Sequence, residues 1–292
     1  MEIIEGKIEE HRASTANEFW ECLSPEKLLF PPPCQLLYRG QANDSWGLTP
    51  AVLREENNPK GIWGKMAIAS DNQVFSEWAY IKTFVDYCDS IGVAIPNDST
   101  AFRETFLSPE SHTFNKCVVN CSEWPTKELF ELMALAQHHG LPTRLLDWTK
   151  RSFVAAYFAA SDALAGSCPI TAPGSQRLVV WVLDIELRGL FRELEVIRVP
   201  GANSSNLAAQ AGVFTLLRQS GHRGHQFEGP TNLDDYLSQQ PKCPLKKVTL
   251  SIKAASDVIQ LCEAYGVTGA SLFPDYYGAV KSAKDWFHRY KQ

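Results

Sequence analysis

The chain has 292 residues, of which 45% are hydrophobic, and 28 basic against 33 acidic residues give a formal net charge of −5. This composition is typical of a globular protein and excludes a disordered, collagen-like or coiled-coil chain. It also excludes a global basic surface for nucleic acid, so any such site must be local. The longest strongly apolar run, residues 178–183, is far shorter than the about 20 residues of a membrane span. Because the N-terminus lacks the basic-then-apolar order of a signal peptide, the sequence predicts a soluble, cytoplasmic protein with no membrane partner.

The common cofactor and metal signatures are missing from the sequence. The eight cysteines contain no C-x-x-C pair, which argues against a zinc site and against a disulfide framework. Adjacent residues such as His138 and His139 cannot present both imidazoles on one helix face. We find no G-x-G-x-x-G, Walker A, H-E-x-x-H or G-x-S-x-G pattern. The sequence therefore predicts no metal.

The first half of the chain is predicted to be mainly helical. Residues 1–35 form an N-terminal helical segment capped by Ser14 or Thr15 and stopped by a run of prolines. A short strand over residues 36–39 then ends in a turn at Gly40. A helical insertion follows at about residues 60–121, with helix over 61–91 and no assignment for 96–121.

The second half is predicted to combine helices with strands. Helices are expected from the proline at position 125 to residue 139, then at about 153–164, 254–265 and 277–290. Strands are expected at 144–147, 178–183, 195–199, 213–217 and 247–252. This order favours an α+β fold, with helices packed around a mixed, largely antiparallel sheet, over a doubly wound repeat.

Four segments join strand ends and turns to polar side chains: residues 38–41, 136–149, 209–215 and 271–275. Arg39, beside a glycine that permits close approach, suits bidentate recognition of a phosphate or carboxylate. The alternative is a structural ion pair with Asp147. For His138, the alternative to a role in a site is a structural one, in which a partly positive imidazole is favoured by the dipole at the C-terminus of its helix. Trp148 and Tyr157 could equally be core residues.

Taken in order, these segments resemble the FRG domain, which is named for a (Phe/Tyr)-Arg-Gly motif and here has Tyr38-Arg39-Gly40. The second motif is AQHHGLPTRLLDWT over residues 136–149, and QAGVF and LFPD follow at 210–214 and 272–275. The resemblance implies an FRG domain over residues 36–292 that includes the helical insertion.

The same features look like the ADP-ribosyltransferase fold. In that fold a first strand ends in an arginine or histidine that orients NAD, a second ends in a hydroxyl residue before a helix, and a third begins near a glutamate or glutamine. By position these are Arg39, Thr149 and Gln210. An amide cannot place a negative charge beside a developing cation, so Asp147 is a candidate to supply it, with His138 or His139 as acid or base. Glu193 and Glu195 on a nearby predicted strand are further candidates, or are solvated surface.

The resemblance implies NAD as substrate and an effector or toxin of bacterial defence or a toxin–antitoxin pair. The expected catalytic residues are Arg39, Asp147, Thr149, Gln210 and His138. The expected NAD contacts are Tyr38, Arg39, Gly40, Gln41, Trp148, Tyr157 and Phe214.

The expected partners are a macromolecular acceptor (RNA, DNA or protein) and an antitoxin or regulatory protein. A local basic set offers a landing place for a phosphate backbone, or is simply a solvated face: Arg144, Lys150, Arg151, Arg218, His222, Arg223 and His225. The alternatives in function are a non-catalytic module that binds a nucleotide or a partner, and a hydrolase of NAD.

Overall fold

The computed structural model describes residues 7–27, 29–54, 69–166, 176–186, 188–200 and 205–289. The described strands form one seven-stranded sheet in the order β1-β7-β4-β2-β3-β6-β5. They are β1 (Glu9–Arg12), β2 (Leu36–Gln41), β3 (Leu146–Thr149), β4 (Arg177–Asp184), β5 (Leu194–Ile197), β6 (Gly212–Leu217) and β7 (Leu245–Ser251). The pair β1–β7 is parallel and the other pairs are antiparallel. The prediction of an α+β fold with a mixed, largely antiparallel sheet is confirmed.

Helices cover the sheet mainly on one side. They are α1 (Ala16–Leu23), α2 (Ser70–Ser90), α3 (His112–Val119), α4 (Phe130–His138), α5 (Ser152–Leu164), α6 (Ser205–Ala209), α7 (Leu233–Ser238), α8 (Ala255–Ala264), α9 (Gly269–Leu272) and α10 (Tyr276–Arg289). A short helical turn, residues 100–107, precedes α3. Among the described residues, none of these helices is both long enough and apolar enough to cross a membrane.

The sheet is divided near its middle. Strands β2 and β3 share a single register pair, Tyr38 with Thr149, whereas β2 pairs with β4 along its whole length. The sheet therefore consists of a four-stranded half, β1-β7-β4-β2, and a three-stranded half, β3-β6-β5. An opening between β2 and β3 follows from this arrangement.

Each half of the sheet has its own helical cover. Helices α1, α5 and α8 pack on the four-stranded half, and α2, α3 and α4 pack on the three-stranded half. On the opposite face, a third apolar cluster runs across both halves and includes Leu37, Trp148 and Trp181. The alternation of β4, in which Val180 joins the first cluster and Val179 the third, is the period of two that a strand between two apolar layers requires.

Helix α5 lies directly against β2 because both surfaces are small at the contact. Four alanines of α5 are fully buried. A Cβ atom on Gly40 would lie 1.9 Å from the carbonyl oxygen of Ala155, a separation that real Cβ atoms never show. Only glycine permits this approach. With α5 packed directly against Gly40, the strand does not end there but continues to Gln41. The predicted turn at Gly40 is wrong.

The N-terminal segment contributes a strand as well as a helix. Thr15 caps α1 by accepting a hydrogen bond from the Glu18 backbone N–H at 3.2 Å, as one of the two predicted caps. Strand β1 was not predicted, since its sequence, EEHR, carries no apolar alternation. It nevertheless pairs along its length with β7.

Two predicted boundaries move because of long-range contacts. The helix expected from position 125 begins as an α-helix at Phe130, directly after a 3-10 turn at Lys127–Leu129. The buried Trp124 donates from Nε1 to Glu77, and its extended backbone lies before this turn. The strand expected at 144–147 is found at Leu146–Thr149. Of the expected helical insertion, residues 60–68 lie outside the described residues, and the unassigned 96–121 contains the turn at 100–107 and helix α3.

Candidate functional site

A cavity of about 340 Å³ opens where the two halves of the sheet separate. Strand β2 supplies Tyr38, Arg39 and Gly40, and β3 supplies residues 147–149. Helix α4, helix α5 and the region of α6 and β6 complete the wall. Their contributions include Glu131, Gln137, His138, Ala155, Phe158, Asp162, Leu207, Gln210 and Phe214. Phe273, which directly follows α9, also lines the cavity. The sheet opening therefore gathers residues from all four motif segments identified in the sequence.

Arg39 and Asp147 form an ion pair in the wall of this cavity. Nη1 of Arg39 lies 2.7 Å from the Asp147 carboxylate and donates to the Asp147 backbone carbonyl, also at 2.7 Å. The Arg39 side chain is only 11% exposed, while that of Asp147 is 65% exposed. Within the described part of the chain, Nε of Arg39 is buried without a hydrogen-bond partner. The structural ion pair that the sequence left open is present, but it borders a cavity and is not enclosed in a dry core.

The carboxylate of Asp147 is held in its charged form. The protein around it, by displacing water, would raise its pKa, but the charge and hydrogen bond of Arg39 outweigh this effect and leave the pKa of Asp147 below its usual value. Gln137 Nε2 donates to Asp147 Oδ1 at 3.2 Å, and Thr143 donates to Gln137 Oε1 at 2.5 Å. Residues of the second motif thus fix the orientation of the carboxylate.

Arg144 of the same motif braces the fold from inside. Its Nε and Nη2 atoms each donate to a separate oxygen of Glu77 at 2.7 Å. Both side chains are almost fully buried, at 1% and 2% exposure. Both interpretations of Arg144 from the sequence, as part of a phosphate-binding surface and as part of a solvated face, are wrong, because a partner 67 residues away in sequence removes it from solvent. Arg218 of the same basic set pairs with Glu195 at 2.8 Å.

Thr149 and Gln210 line the cavity and are tied to each other. The Thr149 hydroxyl donates to the backbone carbonyl of Gln210 at 2.6 Å and accepts from the Arg151 backbone N–H at 3.0 Å. Because Arg151 precedes the first residue of α5, this hydroxyl fixes the start of the helix. The Gln210 amide donates to the carbonyl of Leu272 at 3.2 Å.

Three of the predicted NAD-contact residues have their polar groups engaged elsewhere. Trp148 contributes to the cavity wall, but its indole nitrogen donates to Thr215 at 2.8 Å. Gln41 accepts from the indole of Trp181 at 2.6 Å. Tyr157 is buried and donates to Asp285. The structure does not bring Gln41 or Tyr157 to the cavity.

Other predicted residues do reach the cavity. His138 Nε2 lies 2.7 Å from the Asn206 amide nitrogen. Burial and the neighbouring His139 lower the pKa of His138 against the opposing charge of Asp275, which favours the neutral imidazole. Burial raises the pKa of Tyr38, so its phenol remains a donor at neutral pH.

Asp162 is a cavity residue that sequence reasoning missed. It lies on α5 with 48% of its side chain exposed and its carboxylate 3.7 Å from Lys281 Nζ. Burial raises its pKa, and nearby Asp285 and Asp147 add to this effect against Lys281 and Arg39. The signal was present in the sequence, because Ala155, Phe158 and Asp162 are spaced three and four residues apart and so share one helix face.

Comparison with known families supports one part of this picture. Residues 34–167 match the family model of the FRG domain. The Tyr38-Arg39-Gly40 segment and residues 136–149 lie inside the match, whereas Gln210 lies beyond it. No curated protein and no solved structure matched the chain. Among the described residues, no group of three or more histidine, cysteine, aspartate or glutamate side chains is arranged to hold a metal ion.

Proposed function

We propose that the cavity binds the nicotinamide end of NAD and that the protein breaks the nicotinamide glycosidic bond and transfers ADP-ribose to a macromolecule. The observation that carries this proposal is the carboxylate of Asp147, which faces the cavity and is kept charged by Arg39. The family match names a domain and no activity, so the support for this activity comes from the residues of the cavity.

The chemistry requires a negative charge at the reacting carbon. Cleavage of the glycosidic bond passes through an oxocarbenium-like state, which a preorganised carboxylate stabilises. Gln210 holds no charge, but Asp147 supplies one in the same cavity. Gln137 and Arg39 hold the carboxylate in one orientation, as electrostatic stabilisation of a transition state requires.

The walls of the cavity suit an aromatic ring and a sugar. The rings of Tyr38, Phe158, Phe214 and Phe273 belong to its lining and offer surfaces for stacking. The volume of about 340 Å³ lies at the lower end of the range for small-molecule pockets, about 300–1,000 Å³. This size suits the nicotinamide and its ribose, with the remainder of NAD extending outwards.

The direct test is incubation of the protein with NAD labelled on the adenine-side phosphate, together with a cell extract. Nicotinamide release and label transfer are followed, and nuclease or protease treatment identifies an RNA, DNA or protein acceptor. Asp147→Asn is expected to lower release about a hundredfold, while Asp257→Asn, an exposed position on α8, serves as the matched control. Full activity of Asp147→Asn would contradict the proposal.

A second candidate, a module that binds a nucleotide or a partner without catalysis, is favoured by one observation. Arg39 Nη1 and the Thr149 hydroxyl are both engaged within the protein, which suits a rigid recognition surface. Titration calorimetry with NAD separates the two, because binding without nicotinamide release would point to the module. The toxin role, with an antitoxin or regulatory protein covering the cavity, belongs to the first proposal, and inhibition of release by a co-purified protein would support it.

A further inference from the structure

Asp162 stands in the same cavity as Asp147 but on a different wall. Asp147 projects from β3, and Asp162 projects from α5, one turn beyond Phe158. Both residues line the same cavity, and the charge of Asp147 is one of the effects that raise the pKa of Asp162. A ligand in the cavity would therefore meet an acidic group on two sides.

The surroundings of the two carboxylates differ in kind. Asp147 has a short ion pair with Arg39 and a hydrogen bond from Gln137. Within the described residues, the carboxylate of Asp162 has a longer contact, of 3.7 Å, with Lys281. When the environments of two neighbouring carboxyl groups give them different pKa values, one group can stay ionised while the other takes up and releases a proton.

Lys281 is itself fixed by a buried network behind the cavity. Its Nζ donates to the Ser161 hydroxyl at 2.7 Å, and Ser161 donates to Asp285 at 2.7 Å. Tyr157 donates to the second oxygen of Asp285. Helix α10 is thereby held against α5, and the Lys281 charge has a fixed place beside Asp162.

We propose that Asp162 is the general base of the reaction, placed on α5 to take the proton from the acceptor that attacks in the cavity. This inference rests on the proposed function and extends it by one catalytic residue. The acceptor oxygen forms a bond to C1′ of the ribose as the bond from C1′ to the nicotinamide nitrogen breaks. The electron pair of that bond neutralises the nicotinamide ring, and the acceptor proton passes to the Asp162 carboxylate. Asp147 stays ionised throughout, and Lys281 is a positioning residue.

The test measures nicotinamide release from NAD with the same extract between pH 4.5 and 9. In the wild-type protein, kcat is expected to rise with pH to a plateau as Asp162 loses its proton. Asp162→Asn, which preserves shape, is expected to lower kcat by about 10²-fold or more, to remove the rising limb and to leave the KM for NAD within a factor of two. The charges that act on Asp162 are those of Lys281 and Asp285 from α10, of Asp147 from β3 and of Arg39 from β2.

A second variant keeps the inference falsifiable if Asp162→Asn folds poorly. Lys281→Met removes the positive charge beside Asp162, so the rising limb is expected to move to higher pH while the plateau is retained. The matched control for Asp162→Asn is Asp86→Asn. Asp86 also pairs with a lysine, Lys82, at 2.6 Å, but it lies on α2 and outside the cavity lining.

The outcomes separate this inference from the proposed function. Nicotinamide release that is the same in the wild type and in Asp162→Asn would overturn the role of Asp162 and leave the transferase proposal standing. Loss of NAD binding in Asp162→Asn would show a substrate-holding residue and would also overturn the role of general base. No release from the wild-type protein would overturn both proposals.

Discussion

Replacement of Arg144 by methionine tests whether the buried ion pair between Arg144 and Glu77 stabilises the fold. Glu77 accepts two hydrogen bonds from Arg144 at 2.7 Å, one from Trp124 at 2.8 Å and one from Gln73 at 2.9 Å. Arg144→Met removes the only two that carry a positive charge and leaves a carboxylate buried. Breaking a buried pair on one side costs about 3–5 kcal/mol, a large fraction of the about 5–15 kcal/mol that stabilises a typical domain.

Urea unfolding at pH 7, followed by tryptophan fluorescence, measures this cost. Arg144→Met is expected to lower the free energy of unfolding by about 3–5 kcal/mol. The double variant with Glu77→Gln is expected to lose less than Arg144→Met alone, because the uncompensated charge is gone. A loss below about 1 kcal/mol, the range of an exposed pair, or a double variant less stable than the single one, would refute the brace. Arg103→Met, which breaks solvent-accessible pairs with Asp89 and Asp98, is the control.

Three further predictions concern the elements around the cavity. Gly40→Ala forces α5 away from β2, so it is expected to cost about 1–3 kcal/mol and to lower the Tm by several degrees in calorimetry; an unchanged Tm would contradict the close approach. Since Arg39 lowers the pKa of Asp147, Arg39→Gln is expected to be less stable than the wild type at pH 7. This difference is expected to shrink once the pH falls below about 4, the value for an unfolded aspartate, and to be lost as the pH falls through the lower pKa of the folded protein. A difference in urea unfolding that does not depend on pH in this acid range would count against the pairing. Tyr157→Phe leaves one oxygen of Asp285 without its donor and is expected to cost about 1–3 kcal/mol without changing NAD affinity in calorimetry; weakened NAD binding would place Tyr157 in the site after all.

The type and order of most elements followed from local patterns. The continuous apolar run at residues 178–183 predicted a strand, and the small residues after Phe153 predicted a helix that packs closely. Long-range partners decided what local patterns could not. The strand β1 depends on β7, more than 230 residues away in the chain, and the path through Gly40 depends on α5.

The candidate site was predictable in part for the same reason. The sequence pointed to both Arg39 and Asp147 because each was predicted to lie at the end of a strand, and the two side chains meet in the structure, although both strands continue beyond them. The sequence placed Arg144 on the surface because its partner, Glu77, is 67 residues away and no local pattern indicates that the two side chains pair. It overlooked Asp162 because a single carboxylate on an alanine-rich helix resembles ordinary solvated surface until the helix is docked on the sheet.

The divided sheet has a consequence for association between molecules. Beyond the single pair of Tyr38 and Thr149, the facing edges of β2 and β3 are not joined to each other, and an open strand edge invites pairing with a foreign strand. Nη1 of Arg39 occupies the Asp147 carbonyl at this point, so a side chain takes the place that a backbone N–H of an incoming strand would need. Charge inside the gap adds a further barrier to such pairing. Arg39, which lines the cavity, thus also opposes self-association of the protein through the unpaired edges of β2 and β3.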